Sequence, residues 1–558
     1  MKDQLRPLAH QAARAVCAWG ARRFDDSLAD VERTQRATLA RQLDRYAGGL
    51  QAKQLGLTPG MSAEAFQSRV GEHSWSDVET LVNRQRGGEA KMLTGEACER
   101  YQPTSGSSSR VKWVPYTPGF LADLDAAVTP WVADLYRSVP GVRAGRHYWS
   151  LSWIPTELRA DTPGNVNDDT QLLSWEKRAA AALMAPVPRW VAFAESSDDS
   201  LFATLAWLLA ARDLSLISVW SPTFALNLFE GLERHRTELC DTLAQGRWQR
   251  KGLPGSAPRD RDVAAILRSH GGPATPELLR ALWPSLSLVS AWDTSSSASW
   301  AKRLQQLAPH ARFQGKGLWA TEGVVTIPYH GKHLLASRSH FYEFVDLDTG
   351  RAHFAWELRE GQEVRPLLTT GAGLLRYGLR DRLKVRGFMG NTPCLEFQGR
   401  MDDTDMVGEK LSPDAAARAL STLDMSGECQ PLSLIPLPSG LHGASERPCY
   451  VALCEGEPNP ERDQARSETL ERGLREFFHY DLARDLGQLA QAQVVTTPHA
   501  RAVYEELGVL RGMVQGNIKV EPLSACIEGA AAQHLRQVAR HQAGQEASKE
   551  ARGDQSWT

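Results

Sequence analysis

The stretch PTSGSSSR, Pro103 to Arg110, places Thr104, Ser105, Ser107, Ser108 and Ser109 around Gly106. Small hydroxyls and accessible backbone N–H groups suit the oxygens of a phosphate chain, and glycine lets the backbone approach them closely. Two other readings of these residue types stand beside that one. Ser, Thr and Gly also make ordinary surface turns. A Walker A loop would need GxxxxGK[ST] opening a helix, but no Gly-Lys pair follows, and VKWVPY alternates like a strand. The setting is therefore strand–loop–strand, with Lys112 as an added positive charge.

Two carboxylates lie far downstream. Glu322, in QGKGLWATEGVVTIPY, follows small residues and precedes an apolar run. A carboxylate there suits Mg²⁺, a hard cation that takes oxygen ligands. A charge at a strand end is the competing reading. Asp381, in TTGAGLLRYGLRDRLKVRG, falls between a turn and a strand, where a carboxylate accepts from both ribose hydroxyls. A salt-bridged surface aspartate has the same sequence pattern.

The elements that must position these groups read as α/β. Residues 1 to about 95 are helical in pattern: VERTQRATLARQLDRYAGG keeps apolar positions at helical spacing and stops at glycines, and SAEAFQSRV and SWSDVETLV start on Ser caps. From about 110 to 400, helix patterns (DSLFATLAWLLAARD, SPTFALNLFEGLERHRTELCDTLAQG) alternate with strand patterns (PRWVAFA, LSLVSAW, GVVTIPY). The acidic break GRMDDTDMVGEKLSPD precedes a second α/β pattern, and the last residues, HQAGQEASKEARGDQSWT, are polar enough to be disordered. This divides the chain into a domain over 1–399, a smaller one over 400–540 and a tail over 541–558.

Composition narrows the partners. With 42% hydrophobic and 23% charged residues, 558 residues bury ample cores, and a net charge of −2 gives no global field for nucleic acid or an anionic membrane. No apolar window approaches the length of a membrane span, and MKDQLRPLAH has no apolar signal-peptide region. The eight cysteines include no CxxC pair, as expected of reduced thiols in a cytoplasmic protein.

Order and wording together carry a resemblance. HSWSDVETLV, PTSGSSSRVKWVPYT, RHYWSLSW, LISVWSPTF, QGKGLWATEG, SHFYEFVD, TTGAGLLRYGLRD and QGNIKVEPL follow one another as in the auxin-responsive Gretchen Hagen 3 family. The chain resembles a bacterial member of these acyl-acid amido synthetases, which sit within the superfamily of acyl-CoA synthetases, luciferase and adenylation domains. The resemblance implies a large N-terminal adenylating domain of mixed sheets, part of it barrel-like, packed with helices, and a small mobile C-terminal α/β domain. It implies adenylation of a carboxylic acid with ATP and Mg²⁺, then acyl transfer to an amine, usually an amino acid, by a monomer. Thr104, Ser105, Gly106, Ser107 and Ser108 match its phosphate loop, Thr321 and Glu322 its second nucleotide motif with the Mg²⁺ ligand, and Asp381 its ribose-binding aspartate. Lys519, in GNIKVEPL, matches the catalytic C-terminal lysine, and Lys410, in GEKL, is a second candidate near a joint formed by Arg400, Asp402 and Asp403.

The chain departs from the family at several positions. Ser109 and Arg110 replace a glycine and a lysine, Leu318 a tyrosine, and Gly378 and Arg380 an arginine and a glycine; no proline–arginine follows Lys519. Two alternatives stay open: a thiol acceptor such as coenzyme A, or a nucleotide-binding homologue without catalysis. His147 and His340 read as structural, and no general base for the amine is evident. The acyl pocket is expected between the N-terminal helices and the sheet, with Trp149 and Trp153 as candidate wall residues.

Overall fold

Four parallel strands order the first half of the chain: β3 (Arg146–Trp149), β4 (Leu214–Ser218), β5 (Leu288–Ala291) and β6 (Arg312–Gly315) lie side by side in chain order. β4 and β5 are wholly buried and read as unbroken apolar or small runs, as strands covered on both faces must. Before them stands the antiparallel pair β1 (Arg100–Ser105) and β2 (Val111–Tyr116). After them comes the two-residue hairpin β7 (Trp319–Ala320) and β8 (Gly323–Val324).

An eight-stranded sheet follows, built from β9 (Thr326–Tyr329), β10 (Lys332–Leu335), β11 (Phe341–Asp346), β12 (Ala352–Phe354), β13 (Glu363–Thr369), β14 (Tyr377–Gly378), β15 (Asp381–Met389) and β16 (Thr392–Arg400). Its path runs β12-β11-β13-β15-β16-β10-β9, with β14 paired to β13. The core of this sheet joins Tyr342, Phe344, Val364, Leu368 and Leu383 to Phe120 and Trp131 of the helix Pro118–Ser138.

The computed structural model describes residues 2–105, 111–151, 153–154, 159, 175–294, 297–401, 404, 406–407, 409, 411–423, 428–438, 440–441, 447–485, 488–515 and 518–540. The chain divides into two compact units, one comprising Met1–Thr104 and Arg110–Gly399, the other running on from Arg400. In the second unit β17 (Cys429–Leu437) pairs antiparallel with β18 (Cys449–Gly456), which pairs parallel with β19 (Gln493–Thr497). Helices Pro413–Ser421 and Pro460–Arg475 bury Leu420, Leu470 and Leu474 with Leu434, Tyr450 and Tyr480.

The N-terminal helices form as their spacing predicts. Lys2–Leu28 buries Ala13, Cys17, Ala21, Phe24 and Leu28 along one face, and a Cβ added to Gly20 would come within 2.1 Å of Thr129, so this helix crosses Pro118–Ser138 closely. Val31–Tyr46 is capped by the Asp30 carboxylate on the Arg33 N–H. One expected strand is a helix: PRWVAFA forms the 3-10 turn Arg189–Phe193, with the Val191 N–H on the Pro188 carbonyl. Five apolar or aromatic residues are too few to separate strand from turn by period.

Candidate active site

The hydroxyl-rich hairpin, the glutamate turn and the aspartate segment meet through named contacts. Tyr116 ends β2, and its hydroxyl donates to the Thr321 carbonyl at 3.4 Å. Burial pushes the Tyr116 phenol well above its ordinary value; the Arg100 guanidinium over its ring opposes this and the nearby Glu322 carboxylate adds to it. The next residue, Thr117, caps the helix Pro118–Ser138 through the Phe120 N–H and donates its own hydroxyl to the Gly371 carbonyl at 2.8 Å. Gly371 belongs to the TTGAG turn, and a Cβ there would sit 2.6 Å from the backbone of Gly119 and Phe120.

Asp123 locks this junction. Its buried carboxylate accepts from Gln42 Nε2 at 2.6 Å, Arg45 Nη1 at 2.7 Å and the Gly371 N–H at 3.0 Å, and faces His340 Nδ1 at 3.5 Å. Burial raises its pKa, but His340, Arg45 and Arg41 outweigh burial and hold the carboxyl below the ordinary range. His340 Nε2 accepts from the Val324 N–H at 3.2 Å, so this histidine braces the glutamate hairpin from below, in the structural role expected of it.

Glu322 and Thr321 form the tip of the β7–β8 hairpin, half-buried. A Cβ on Gly323 would lie 2.7 Å from Leu368 Cδ2, so the hairpin rests on β13 at Leu368. Leu368 also pairs with Tyr377 of β14, and the Leu379 N–H donates to Pro366, leading the chain into Asp381 at the start of β15. Gly378 fits its surroundings: a Cβ would meet the Glu72–Arg365 ion pair at 2.7 and 3.0 Å. Leu318 is buried in the core rather than presented as a platform.

Thr104 and Ser105 close β1; Gly106, Ser107, Ser108, Ser109 and Arg110 lie outside the described residues, as do Asp402, Asp403 and Lys410. Lys519 lies in the second unit. Ile518 and Val520 on either side of it are buried and Lys519 is half-buried; Gly508 of the helix Ala500–Leu510 passes so close to Ile518 that a Cβ would meet it at 2.6 Å. The bridge between Leu434 and Leu523 ties the segment to β17. Next to Lys410, Glu409 is buried and accepts from the Met406 and Val407 N–H groups and the Tyr450 hydroxyl.

A cavity lies at the carboxyl ends of the parallel strands, where α/β sheets bind ligands, and most of its wall was not legible in the sequence. Its volume is about 60 Å³. Trp131, Trp149, Trp220 and Trp319 wall it, with Ala13 and Cys17 from the N-terminal helix, His147 and Lys177. Trp149 lines it as expected; Trp153 does not, since its indole N–H donates to the Ala194 carbonyl instead. The rings contact one another: Trp131 meets Trp149 and Trp319 at 5.7 and 5.8 Å, and Trp220 meets Trp319 at 5.4 Å.

Lys316 follows β6 directly and is 2% exposed. Its Nζ donates to Ser218 Oγ at 2.8 Å and lies 4.2 and 4.9 Å from the Trp220 and Trp131 ring centres. The flanking glycines of QGKG make this possible: a Cβ on Gly315 would strike the Asp293 carboxylate at 2.1 Å, and one on Gly317 the Thr326 carbonyl at 2.1 Å. Lys316 thus packs against the Trp131 and Trp220 rings that line the cavity, six residues before the glutamate at 322.

Residues 20–313 match the GH3 family N-terminal domain, and residues 333–400 match the GH3 family central domain. The chain belongs to the GH3 family. Among GH3 relatives, the probable indole-3-acetic acid-amido synthetase GH3.12 of Oryza sativa subsp. japonica is 24% identical over 473 residues, covering 73% of this chain and 76% of its own. The jasmonoyl–L-amino acid synthetase JAR6 of Nicotiana attenuata is 23% identical over 446 residues, covering 71% and 75%. The solved GH3.15 acyl acid amido synthetase shares the fold at a TM-score of 0.74 with 17% identity, over 93% of this chain and 96% of that one. No helix among the described residues of this GH3 chain is long and apolar enough to cross a membrane.

Proposed function

We propose that this GH3 protein is an ATP-dependent ligase that adenylates a small carboxylic acid and passes the acyl group to an amine, by preference an amino acid, releasing pyrophosphate and AMP. The observation that carries the reading is the tryptophan-walled cavity beside Lys316 and the Glu322 turn. A carboxylate is a poor electrophile, and activating it means holding two anions together. Lys316 supplies positive charge at the cavity wall, where the acid's carboxylate sits. Glu322 is the Mg²⁺ ligand, holding a hard cation together with the substrate's phosphates. Thr104 and Ser105, with Gly106, Ser107 and Ser108 beyond the described residues, are the phosphate loop, and Asp381 accepts from the ribose hydroxyls. Lys519 stabilises charge on the α-phosphate as pyrophosphate leaves, with Lys410 as the alternative. A small domain, residues 400–540, moves between the half-reactions, and the protein acts as a cytoplasmic monomer.

The cavity limits the acid. At about 60 Å³ it is smaller than the ~150 Å³ engineered cavity that accepts benzene, so even a single ring displaces the tryptophan walls and fused rings displace them further. The test is a panel of small carboxylic acids with ATP and Mg²⁺, reading pyrophosphate release and hydroxamate formation with hydroxylamine. An active acid is then offered amino acids and coenzyme A. Hydroxamate with an amino-acid amide supports the reading, a thioester replaces the acceptor, and silence with every acid refutes adenylation.

A further inference from the structure

His147 stands in mid-strand on β3, two residues before Trp149, and both side chains line the cavity. His147 Nε2 lies 2.7 Å from the Val142 carbonyl oxygen, which only accepts, so Nε2 carries the proton and Nδ1 keeps its lone pair. The neighbouring His10 ring, 5.0 Å away, is fixed in the same tautomer: Nε2 donates to the Gly145 carbonyl and Nδ1 accepts from the Tyr136 hydroxyl, each at 2.8 Å. Burial pushes His147 down to about 3 and holds His10 below its ordinary value, so both rings are neutral near pH 7.

Three other polar groups of the wall are committed elsewhere. Lys177 donates to both Asp125 oxygens, at 2.6 and 2.7 Å, and to Thr129 Oγ1. The Tyr136 hydroxyl serves His10, and the Trp131 indole N–H serves Gln314 Oε1 at 2.9 Å. Burial pushes the Cys17 thiol up to about 11, so it lines the cavity uncharged.

Building on the ligase reading, we infer that His147 Nδ1 accepts a hydrogen bond from the acyl acid, so that the preferred substrate is a small acid with an O–H or N–H donor at its non-reacting end. A donor-free acid of the same shape strips water from this acceptor and returns nothing. Sites built to hydrogen-bond a substrate group reject the analogue lacking it more strongly than apolar pockets reject a missing methylene. The Trp walls limit the size of the acid; His147 selects what it carries.

The test uses the full-length chain with ATP, Mg²⁺ and hydroxylamine. Hydroxy- and aminobenzoates and short hydroxy acids are each compared with the isostere bearing methyl in place of the donor. The expected result is that the best acid carries a donor and exceeds its methyl isostere at least tenfold in kcat/KM. In His147→Leu that ratio falls to within about twofold, with the KM for ATP unchanged. His147→Asn, whose Oδ1 accepts, keeps part of it, and the wild-type ratio and the Asn variant decide the matter if the Leu variant does not fold. A best acid without a donor, or an unchanged ratio in folded His147→Leu, overturns the inference and leaves the ligase reading standing. Failure to adenylate any acid removes both.

Discussion

The Tyr116 hydroxyl donates to the Thr321 carbonyl at 3.4 Å, joining the end of the hydroxyl-rich hairpin to the turn that presents Glu322. The bond is long and neutral, so Tyr116→Phe should cost no more than about 1 kcal/mol of unfolding free energy. Its effect should fall on positioning: adenylation several-fold slower, with the Mg²⁺ dependence unchanged. Denaturant titration and pyrophosphate release measure the two separately, and an unaltered rate would show that the turn is held without this contact.

Glu322→Gln keeps the shape of the turn and removes its charge. Adenylation should fall at least tenfold, with partial rescue at higher Mg²⁺, since losing one preorganised electrostatic group costs ~10²–10³ in rate. The rate is followed across a Mg²⁺ titration; a curve that scales down without shifting takes Glu322 out of the metal site.

Lys316→Met preserves the length of the stem between Trp131 and Trp220 and deletes the ammonium. The KM for the acid should rise at least tenfold while the KM for ATP stays within about twofold. The cavity tryptophans give an independent readout, because acid binding should quench their fluorescence in the wild type and not in the variant. Equal loss of affinity for ATP and acid would make Lys316 a general structural cation.

These residues were unequally legible in the sequence. The strands around Glu322 and Asp381 could be read because turns and apolar runs are local signals, and the helix over Val31–Tyr46 follows from spacing and its Asp30 cap. The full cavity wall could not, beyond Trp149, because Trp131, Trp220 and Trp319 come from separate segments that only the fold brings together. Lys316 carries no local signal, since only the fold shows that its flanking glycines admit the Asp293 carboxylate and the Thr326 carbonyl beside the backbone. The Nε2 bond of His147 to Val142 fits the structural role expected of it; the lone pair this leaves on Nδ1 follows only from the fold.

Asp123 contributes to the acid dependence of the first unit's stability. Its folded pKa lies below the unfolded value of about 3.9, so its stabilisation is present above that pH and is lost as pH falls through the folded pKa. Asp123→Asn should lower stability near neutral pH by about 3–5 kcal/mol, as expected when one partner of a buried charge network is removed. It should also flatten the decline in stability below about pH 4. Unfolding midpoints measured from pH 7 down to 3 test this, and a variant that keeps the wild-type acid slope would assign that slope to other carboxylates.

Acid-dependent exchange of labelled pyrophosphate into ATP tests the central claim most directly, because it requires a reversible acyl-adenylate and no amine. With a small carboxylic acid accepted by the Trp131–Trp319 cavity, label should enter ATP in the absence of any amino acid, and added amino acid should drain the adenylate to amide and suppress exchange. Exchange that proceeds without acid, or none across the acid panel in a protein that binds ATP, would contradict the account.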